Sequence, residues 1–124
     1  MAQKIMIVED NAWIARVWAT RLANEGFDVV VAMSGEEAIE KVRTDRPDLI
    51  LLDIMMPGMG GFEVCQRLKI SRDTSAIPII FLSGFGNLEE RRRAAELGAD
   101  GYFVKSDVKA EELLQALRRV LSAA

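Results

Sequence analysis

The sequence predicts an α/β fold in which a parallel five-stranded sheet is covered by helices on both faces. Apolar segments of strand length alternate five times with segments of helical periodicity, which is the pattern of consecutive βα units. The strand segments are nearly continuous apolar runs, as in strands that are buried on both faces of a parallel sheet. Because the 124 residues contain no linker or low-complexity segment, we expect one domain over residues 1–124.

The predicted strands are recognised by their apolar and β-branched residues. They are residues 4–9 (KIMIVE), 27–33 (FDVVVAM), 48–53 (DLILLD), 76–83 (AIPIIFLS) and 101–105 (GYFVK). Pro78 lies near the start of the fourth strand, where a proline is tolerated. The five segments therefore supply the strands of the predicted sheet.

The predicted helices follow the strands in turn. They lie, with their caps and stop residues, within residues 11–26, 34–47, 60–70, 87–98 and 107–122. Gly26 suits the position just beyond the first helix. Ser34 with Glu37 three residues later predicts a capping box at the start of the second helix, which Pro47 ends. Asp107 is the predicted N-cap of the fifth helix.

The composition excludes several classes of protein. The net charge is −3, whereas a nucleic-acid-binding domain is usually basic. The sequence contains no apolar run of about 18 residues, so no membrane-spanning helix is predicted. The chain has one cysteine, Cys65, so it forms no internal disulfide, and with no signal-peptide pattern we expect a cytoplasmic protein. The absence of histidine excludes Ser-His-Asp and Cys-His catalysis within the chain.

Polar side chains follow the predicted strands at the points where these end. They are Glu9 and Asp10 after the first strand, Asp53 at the end of the third, Ser83 at the end of the fourth and Lys105 at the end of the fifth. Because the carboxyl ends of parallel strands share one edge, we expect these groups to meet there. Asp53 is thus expected at the functional edge and not buried in the core.

Three carboxylates in one place repel each other unless a cation joins them. Oxygen ligands without histidine or cysteine suit Mg²⁺, which also accepts phosphate oxygens. A hydroxyl and an ammonium nearby suit the remaining oxygens of a phosphoryl group. The residues therefore predict a Mg²⁺-assisted phosphoryl site in which one carboxylate is the nucleophile.

The segments VEDN, LILLDIMMPGMGGFE, IIFLSG and GADGYFVK, in this order and spacing, resemble the receiver domain of two-component response regulators. The resemblance covers essentially the whole chain. It implies a flavodoxin-like (βα)5 fold with strand order 2-1-3-4-5, which is the known order of this family's chemotaxis regulator and does not follow from the residue pattern alone. It implies a phospho-acceptor switch and not an enzyme.

The resemblance also implies individual roles at the metal site. Asp53 matches the phosphoryl-accepting aspartate, which also contacts the metal. Asp10 matches the direct Mg²⁺ ligand, Glu9 the acid that holds the ion through water, and the main-chain carbonyl of Met55 a further ligand.

Three more residues match the switch machinery of the family. Ser83 matches the hydroxyl that bonds the phosphoryl group, and Lys105 the lysine that pairs with it. Tyr102 matches the aromatic switch residue, which turns inward when Ser83 moves.

Three positions depart from the family pattern. Gly60 stands where Asp is frequent, Gly84 where Ala is common, and Ser106 where proline usually follows the lysine. Since a non-proline cis bond costs about 2.5–4 kcal/mol, we expect the Lys105–Ser106 peptide to be trans.

The side chains two residues after the acceptor and two after the switch hydroxyl flank the approach of water in the family. Here they are Met55 and Phe85, which are apolar and position no water. We therefore expect slow loss of the phosphoryl group.

The expected partners are a sensor histidine kinase or phosphotransfer protein, and a downstream protein target at the face of helix four, strand five and helix five. We expect no direct nucleic-acid binding, no membrane contact, and a monomer or weak phosphorylation-dependent dimer.

Two alternatives remain. They are a receiver fragment of a larger regulator or hybrid histidine kinase, and a phosphorylation-independent interaction module. A dehalogenase-type phosphatase is disfavoured because Met55 stands where that class has its acid, and a cobalamin-binding module because the chain has no histidine.

Overall fold

Five βα units follow one another in the computed structural model, which describes residues 2–84 and 86–123. The strands are β1 (Lys4–Val8), β2 (Asp28–Ala32), β3 (Leu49–Asp53), β4 (Ile79–Ser83) and β5 (Gly101–Val104). The helices are α1 (Ala12–Asn24), α2 (Gly35–Asp45), α3 (Gly61–Ile70), α4 (Leu88–Glu96) and α5 (Ala110–Ala123). The strands are parallel and lie in the order β2-β1-β3-β4-β5, which confirms the predicted class and the order that the resemblance implied.

Two apolar layers cover the faces of the sheet. On one face, Ile7, Leu51 and Ile80 pack with residues of α1 and α5 such as Leu22 and Leu117. The other face packs against α2, α3 and α4. Since β3 and β4 are buried along their whole length, water is excluded from the described centre of the sheet, and the polar side chains gather where these strands end.

The ends of several elements differ from the predicted ones by a few residues. Glu9 and Lys105 lie just beyond β1 and β5, so both are free to turn towards the edge of the sheet. The prediction of Asp107 as N-cap is wrong, because α5 begins at Ala110. The backbone N–H of Asp107 instead donates to the Val104 carbonyl at 3.0 Å, and the chain makes a turn before the helix.

The start of α2 forms a modified capping box. Ser34 Oγ accepts from the backbone N–H of Glu37 at 3.1 Å, as predicted. The Glu37 carboxylate, however, accepts from the backbone N–H of Met33 and not from that of Ser34. Gly26 has φ +94°, which confirms its place beyond α1, and the Lys105–Ser106 peptide is trans as predicted.

Among the described residues, no helix combines the length and the apolarity that a bilayer crossing requires.

Candidate functional site

Strand register brings the predicted site residues to one edge of the sheet. Val8 pairs with Leu52, Asp53 with Leu82, and Ser83 with Val104. Glu9 and Asp53 are therefore neighbours across β1 and β3. The backbone N–H of Lys105 donates to the Ser83 carbonyl at 2.8 Å, which fixes the start of the lysine side chain beside β4.

The start of α3 packs closely beneath Asp53. A Cβ atom on Gly61 would lie 2.2 Å from the Asp53 carbonyl oxygen, so only glycine permits this approach. Gly61 also donates its N–H to the Ile54 carbonyl at 2.9 Å. Gly60 is the N-cap of α3 and provides no side-chain hydrogen bond. A glycine N-cap weakens a helix by only a few tenths of a kcal/mol relative to Asp, so this departure from the family pattern leaves the helix and Asp53 in place.

One lysine pairs with two carboxylates at this edge. Lys105 Nζ lies 2.7 Å from Glu9 Oε1 and 3.1 Å from Asp53 Oδ1. The second oxygen of Glu9 accepts from the backbone N–H of Asn11 at 3.1 Å. The structure thus brings together three charged groups that the strand ends predicted, and it pairs Lys105 more closely with Glu9 than with Asp53.

Asp53 is buried, with 4% of its surface exposed, although it lies at the strand end. The expectation that this position keeps Asp53 out of the buried interior is therefore wrong. The pKa of Asp53 rises from 3.8 to about 6, first because burial disfavours the charged form and then because Glu9 and Asp10 repel it. The ammonium of Lys105 opposes this rise in pKa without cancelling it.

Lys105 responds to the same contacts in the opposite way. Burial by itself would lower the pKa of its ammonium, but the hydrogen bond to Glu9 and the charge of Asp53 outweigh burial, and the pKa is raised. Lys105 therefore stays charged across the physiological pH range.

Glu9, Asp10 and Asp53 form a group that fits a divalent cation. Each offers a carboxylate oxygen, and these oxygens lie within 4.8 Å of one another. Glu9 and Asp53 are buried while Asp10 is exposed, so the group opens to solvent on one side. A hard cation such as Mg²⁺ takes carboxylate and water oxygens, and three carboxylates beside one ammonium leave a surplus of negative charge for it to neutralise. Met55 follows in the next turn with an exposed side chain.

Ser83 and Tyr102 form a second group beside the first, together with Glu90, which was not among the predicted site residues. Both hydroxyls donate to Oε1 of Glu90, in the first turn of α4, and the distance from Tyr102 is 2.6 Å. Ser83 is fully buried, whereas Glu90 and Tyr102 are half-buried. Burial, followed by the hydrogen bond to Glu90, raises the pKa of Tyr102, and a hydrogen bond with Ser83 opposes this rise.

Glu90 was missed because it lies near the start of a helix, whereas the predicted site residues come from strand ends. The available signal was its spacing. Glu90 is the third residue after Asn87, and the Asn87 side chain accepts from its backbone N–H at 2.8 Å. This cap signal places Glu90 in the first turn of α4, but it does not predict that the carboxylate contacts the Ser83 hydroxyl. Phe85, expected to flank the approach of water, lies outside the described residues.

Comparisons with known proteins agree on one family. A model described as "Response regulator receiver domain" matches residues 5–118. "Probable transcriptional regulator ycf27" of Pyropia yezoensis is 42% identical over 122 residues, which are 98% of this chain and 49% of that protein. "DNA-binding response regulator MtrA" of Mycobacterium leprae is 39% identical over 118 residues, which are 95% of this chain and 51% of that protein.

A solved structure gives the same result. The BeF3-activated N-terminal receiver domain of RstA from Klebsiella pneumoniae superposes with a TM-score of 0.88 at 34% identity, over 96% of this chain and 98% of that chain. The chain spans about half the length of the curated relatives it matches.

Proposed function

Because this chain belongs to the family of response regulator receiver domains, we propose that it accepts a phosphoryl group on Asp53 and passes the signal on by a change of conformation. Receivers of this family are phospho-acceptor switches that take phosphoryl groups from histidine kinases and act on downstream targets. One observation carries the assignment of Asp53. Among the described residues, it is the carboxylate at the end of the central strand that has both Lys105 and two further acids beside it.

Asp10 and Asp53, with Glu9 through water and the main-chain carbonyl of Met55, are the proposed holders of Mg²⁺. The support is the surplus of negative charge at these hard oxygen ligands. When bound, Mg²⁺ would neutralise the charge of the incoming phosphoryl oxygens.

The chain's own residues orient the transfer. A carboxylate oxygen of Asp53 forms the bond to phosphorus while the bond from phosphorus to the donor's imidazole nitrogen breaks, and the imidazole keeps the electron pair. Lys105 already contacts Asp53 and turns from that carboxylate to a phosphoryl oxygen. Ser83 donates its hydroxyl proton in a hydrogen bond to another phosphoryl oxygen. The acyl phosphate then favours a second conformation of the domain.

The proposed donor is a sensor histidine kinase or a phosphotransfer protein, and the proposed output surface is the face of α4, β5 and α5. We assign no direct nucleic-acid or membrane binding to residues 1–124, which we treat as one receiver domain. Two of the three consecutive arginines of α4 are already engaged, Arg91 over the Tyr102 ring at 4.7 Å and Arg93 over the Phe62 ring at 5.0 Å. A cytoplasmic monomer or weak phosphorylation-dependent dimer fits this role, either as a separate protein or as part of a longer regulator or hybrid kinase.

The deciding experiment is to incubate the protein with Mg²⁺ and acetyl phosphate and to locate the added phosphate by intact and peptide mass. We expect one phosphoryl group on Asp53 and none on Asp53→Asn. Asp28→Asn, which changes an exposed aspartate at the opposite edge of the sheet, should label like the wild type. Undiminished labelling of Asp53→Asn would refute the assignment, and no labelling of the wild type would favour a phosphorylation-independent module.

Slow self-dephosphorylation is the second part of the proposal. Met55 is 59% exposed and apolar, so its side chain can shield the Asp53 phosphoryl group but cannot orient a water. Met55→Asn supplies such a group, and we expect phospho-Asp53 to decay about fivefold faster after donor removal, which corresponds to about 1 kcal/mol in the barrier. Met55→Leu is the matched control that keeps the position apolar. Equal decay of Met55→Asn and Met55→Leu would show that this position does not control access of water.

A further inference from the structure

One carboxylate oxygen joins the two proposed switch residues. Ser83 lies at the end of β4, Tyr102 in β5 and Glu90 in α4, so three elements meet at Glu90 Oε1. The backbone N–H of Glu90 is itself held by the Asn87 side chain at 2.8 Å. The backbone of Glu90 is therefore fixed at the start of α4, which restricts the position of its carboxylate.

The Ser83 hydroxyl has a single proton, so it donates to one acceptor at a time. In this structure it donates to Glu90. The proposed reaction requires the same proton to bond a phosphoryl oxygen on Asp53. The two bonds are therefore mutually exclusive, and forming the second breaks the first.

Tyr102 contacts the same turn of α4 through both its hydroxyl and its ring. Its hydroxyl donates to Glu90, and its ring lies under the guanidinium of Arg91. When Ser83 leaves Glu90, one of the two donors that hold the carboxylate is lost. The loss loosens the contact between α4 and β5, which are two of the three elements of the proposed output surface.

We propose that Glu90 is a latch that holds Ser83 and Tyr102 in the unphosphorylated arrangement, and that a phosphoryl group on Asp53 acts by taking the Ser83 hydroxyl from it. The inference rests on the proposed function, since it requires Asp53 to be the acceptor. Glu90 is a positioning residue in this scheme, because it acts through Ser83 and Tyr102 and touches no reacting atom.

The test measures the binding of beryllium fluoride with Mg²⁺, a stand-in for the phosphoryl group, by isothermal titration calorimetry. Glu90→Ala should bind it about tenfold more tightly than the wild type, because the bond that the ligand must break is absent. Glu90→Gln keeps the size of the side chain and replaces the carboxylate by an amide, whose oxygen is a neutral hydrogen-bond acceptor. Since a neutral acceptor bonds about half as strongly as a charged one, its gain should be about threefold, and it serves as the second variant if Glu90→Ala folds poorly.

Glu89→Ala and Glu89→Gln are the matched controls, because they remove an exposed carboxylate from the same turn. They should leave the affinity unchanged, and an equal gain in these variants would reveal a simple charge effect and overturn the latch. In a Ser83→Ala background the gain from Glu90→Ala should fall to the level of the Glu89 control. An unchanged or weaker affinity of Glu90→Ala would also overturn the proposal, since damage to the fold weakens binding while loss of a latch strengthens it.

A measurement without ligand separates this inference from the proposed function. In free Glu90→Ala, the rotamer of the Tyr102 side chain, read from nuclear Overhauser effects, should differ from that in the wild type and in Glu89→Ala. An unchanged Tyr102 rotamer would overturn the latch even if Asp53 proves to be the acceptor. A different outcome is that neither the wild type nor any variant accepts a phosphoryl group on Asp53, while the Tyr102 rotamer does change in Glu90→Ala. That outcome would refute the proposed function and, with it, the role of the latch in phosphorylation.

Discussion

At the ends of β1 and β3, two buried carboxylates share one ammonium, whereas at the start of α4 one half-buried carboxylate accepts from two hydroxyls. Glu9 and Asp53 compete for Lys105, with Asp10 adding a third negative charge. Glu90 instead has Ser83 and Tyr102 as donors to a single oxygen. The first group is short of positive partners, and the second is well supplied with hydrogen-bond donors.

Because the two groups differ in their ratio of donors to acceptors, we expect them to have different roles. The group of Glu9, Asp10 and Asp53 carries an excess of negative charge, which a bound cation can neutralise. The group around Glu90 is held together by hydrogen bonds, and the proposed latch requires the phosphorylated state to replace the one from Ser83.

We call Glu9, Asp10 and Asp53 the acid-rich group. The largest effect is expected when the ammonium of Lys105 is removed from beside this group. Lys105→Met leaves Glu9 and Asp53 buried without a cation, and we expect the free energy of unfolding to fall by about 3 kcal/mol at pH 7.5 without Mg²⁺. Added Mg²⁺ should restore part of the loss. Urea denaturation with and without the ion measures both effects.

Lys41→Met is the matched control for that substitution. Lys41 pairs with Glu37 at 3.2 Å, but its side chain is 40% exposed. An exposed pair contributes at most about 1 kcal/mol. Equal losses in the two variants would contradict the shortage of positive partners at the site.

The second prediction is that Asp53→Asn stabilises the fold. The carboxylate has a raised pKa of about 6 in the folded protein against an ordinary 3.8, so the folded state favours the uncharged form. The Asp53 contribution to stability is full below the unfolded pKa and is lost as pH rises through the folded value. The amide stays uncharged, and we expect it to raise the free energy of unfolding by about 1–3 kcal/mol at pH 7.5.

The pH dependence supplies the control for Asp53→Asn. Its advantage over the wild type should shrink as pH falls below about 6, where the wild-type carboxyl takes up its own proton. Urea denaturation at a series of pH values measures the difference. A less stable Asp53→Asn at pH 7.5 would mean that Lys105 outweighs burial and the neighbouring acids.

The fold and the acid-rich group were predictable because both follow from where apolar runs end. Runs of apolar residues defined the five strands, and a parallel sheet aligns their carboxyl ends, so Glu9, Asp53 and Lys105 had to meet. The burial of Asp53 was not predictable in this way. The Asp53 side chain contacts Lys105, which follows a strand two positions away in the sheet, and its burial depends on tertiary contacts of this kind that no local pattern encodes.

Contacts made by the first residues of helices could also not be predicted from the sequence. Asp107 had the residue type of an N-cap, but hydrogen bonds of the backbone to Val104 delayed α5 to Ala110. Glu90 had the residue type of a solvated helix face. Its contacts with two strands depend on how α4 is seated on the sheet, which the spacing of charged residues does not fix.

A third, smaller effect concerns the open side of the acid-rich group. Asp10 is exposed, so Asp10→Asn should leave the stability of the metal-free protein nearly unchanged. We expect Mg²⁺ affinity to fall at least about tenfold, and the stabilisation by Mg²⁺ to fall with it. Thermal unfolding over a Mg²⁺ titration measures both.

Asp107→Asn removes an exposed charge from the neighbouring turn and should titrate like the wild type. If Asp10→Asn did the same, the proposed ligand set would be wrong.

The smallest effect is expected in the group around Glu90. Tyr102→Phe removes one of the two hydroxyl donors and keeps the ring under Arg91. The Glu90 carboxylate retains Ser83 and is only half-buried, so water can replace the lost donor. We therefore expect a loss of about 1 kcal/mol in the free energy of unfolding by urea.

Ser71→Ala is the comparison for Tyr102→Phe, because Ser71 donates to the Asp73 carboxylate at 2.6 Å on the surface. Its loss should be smaller than that of Tyr102→Phe, since Asp73 is exposed and Ser71 is half-buried, so water can replace the bonds that Ser71 makes with Asp73 and Arg43. A loss in Tyr102→Phe as large as that in Lys105→Met would mean that Glu90 depends on Tyr102 as strictly as Glu9 and Asp53 depend on Lys105. In that case the two groups would not differ in how well their carboxylates are supplied with donors, and release of Ser83 alone could not free α4.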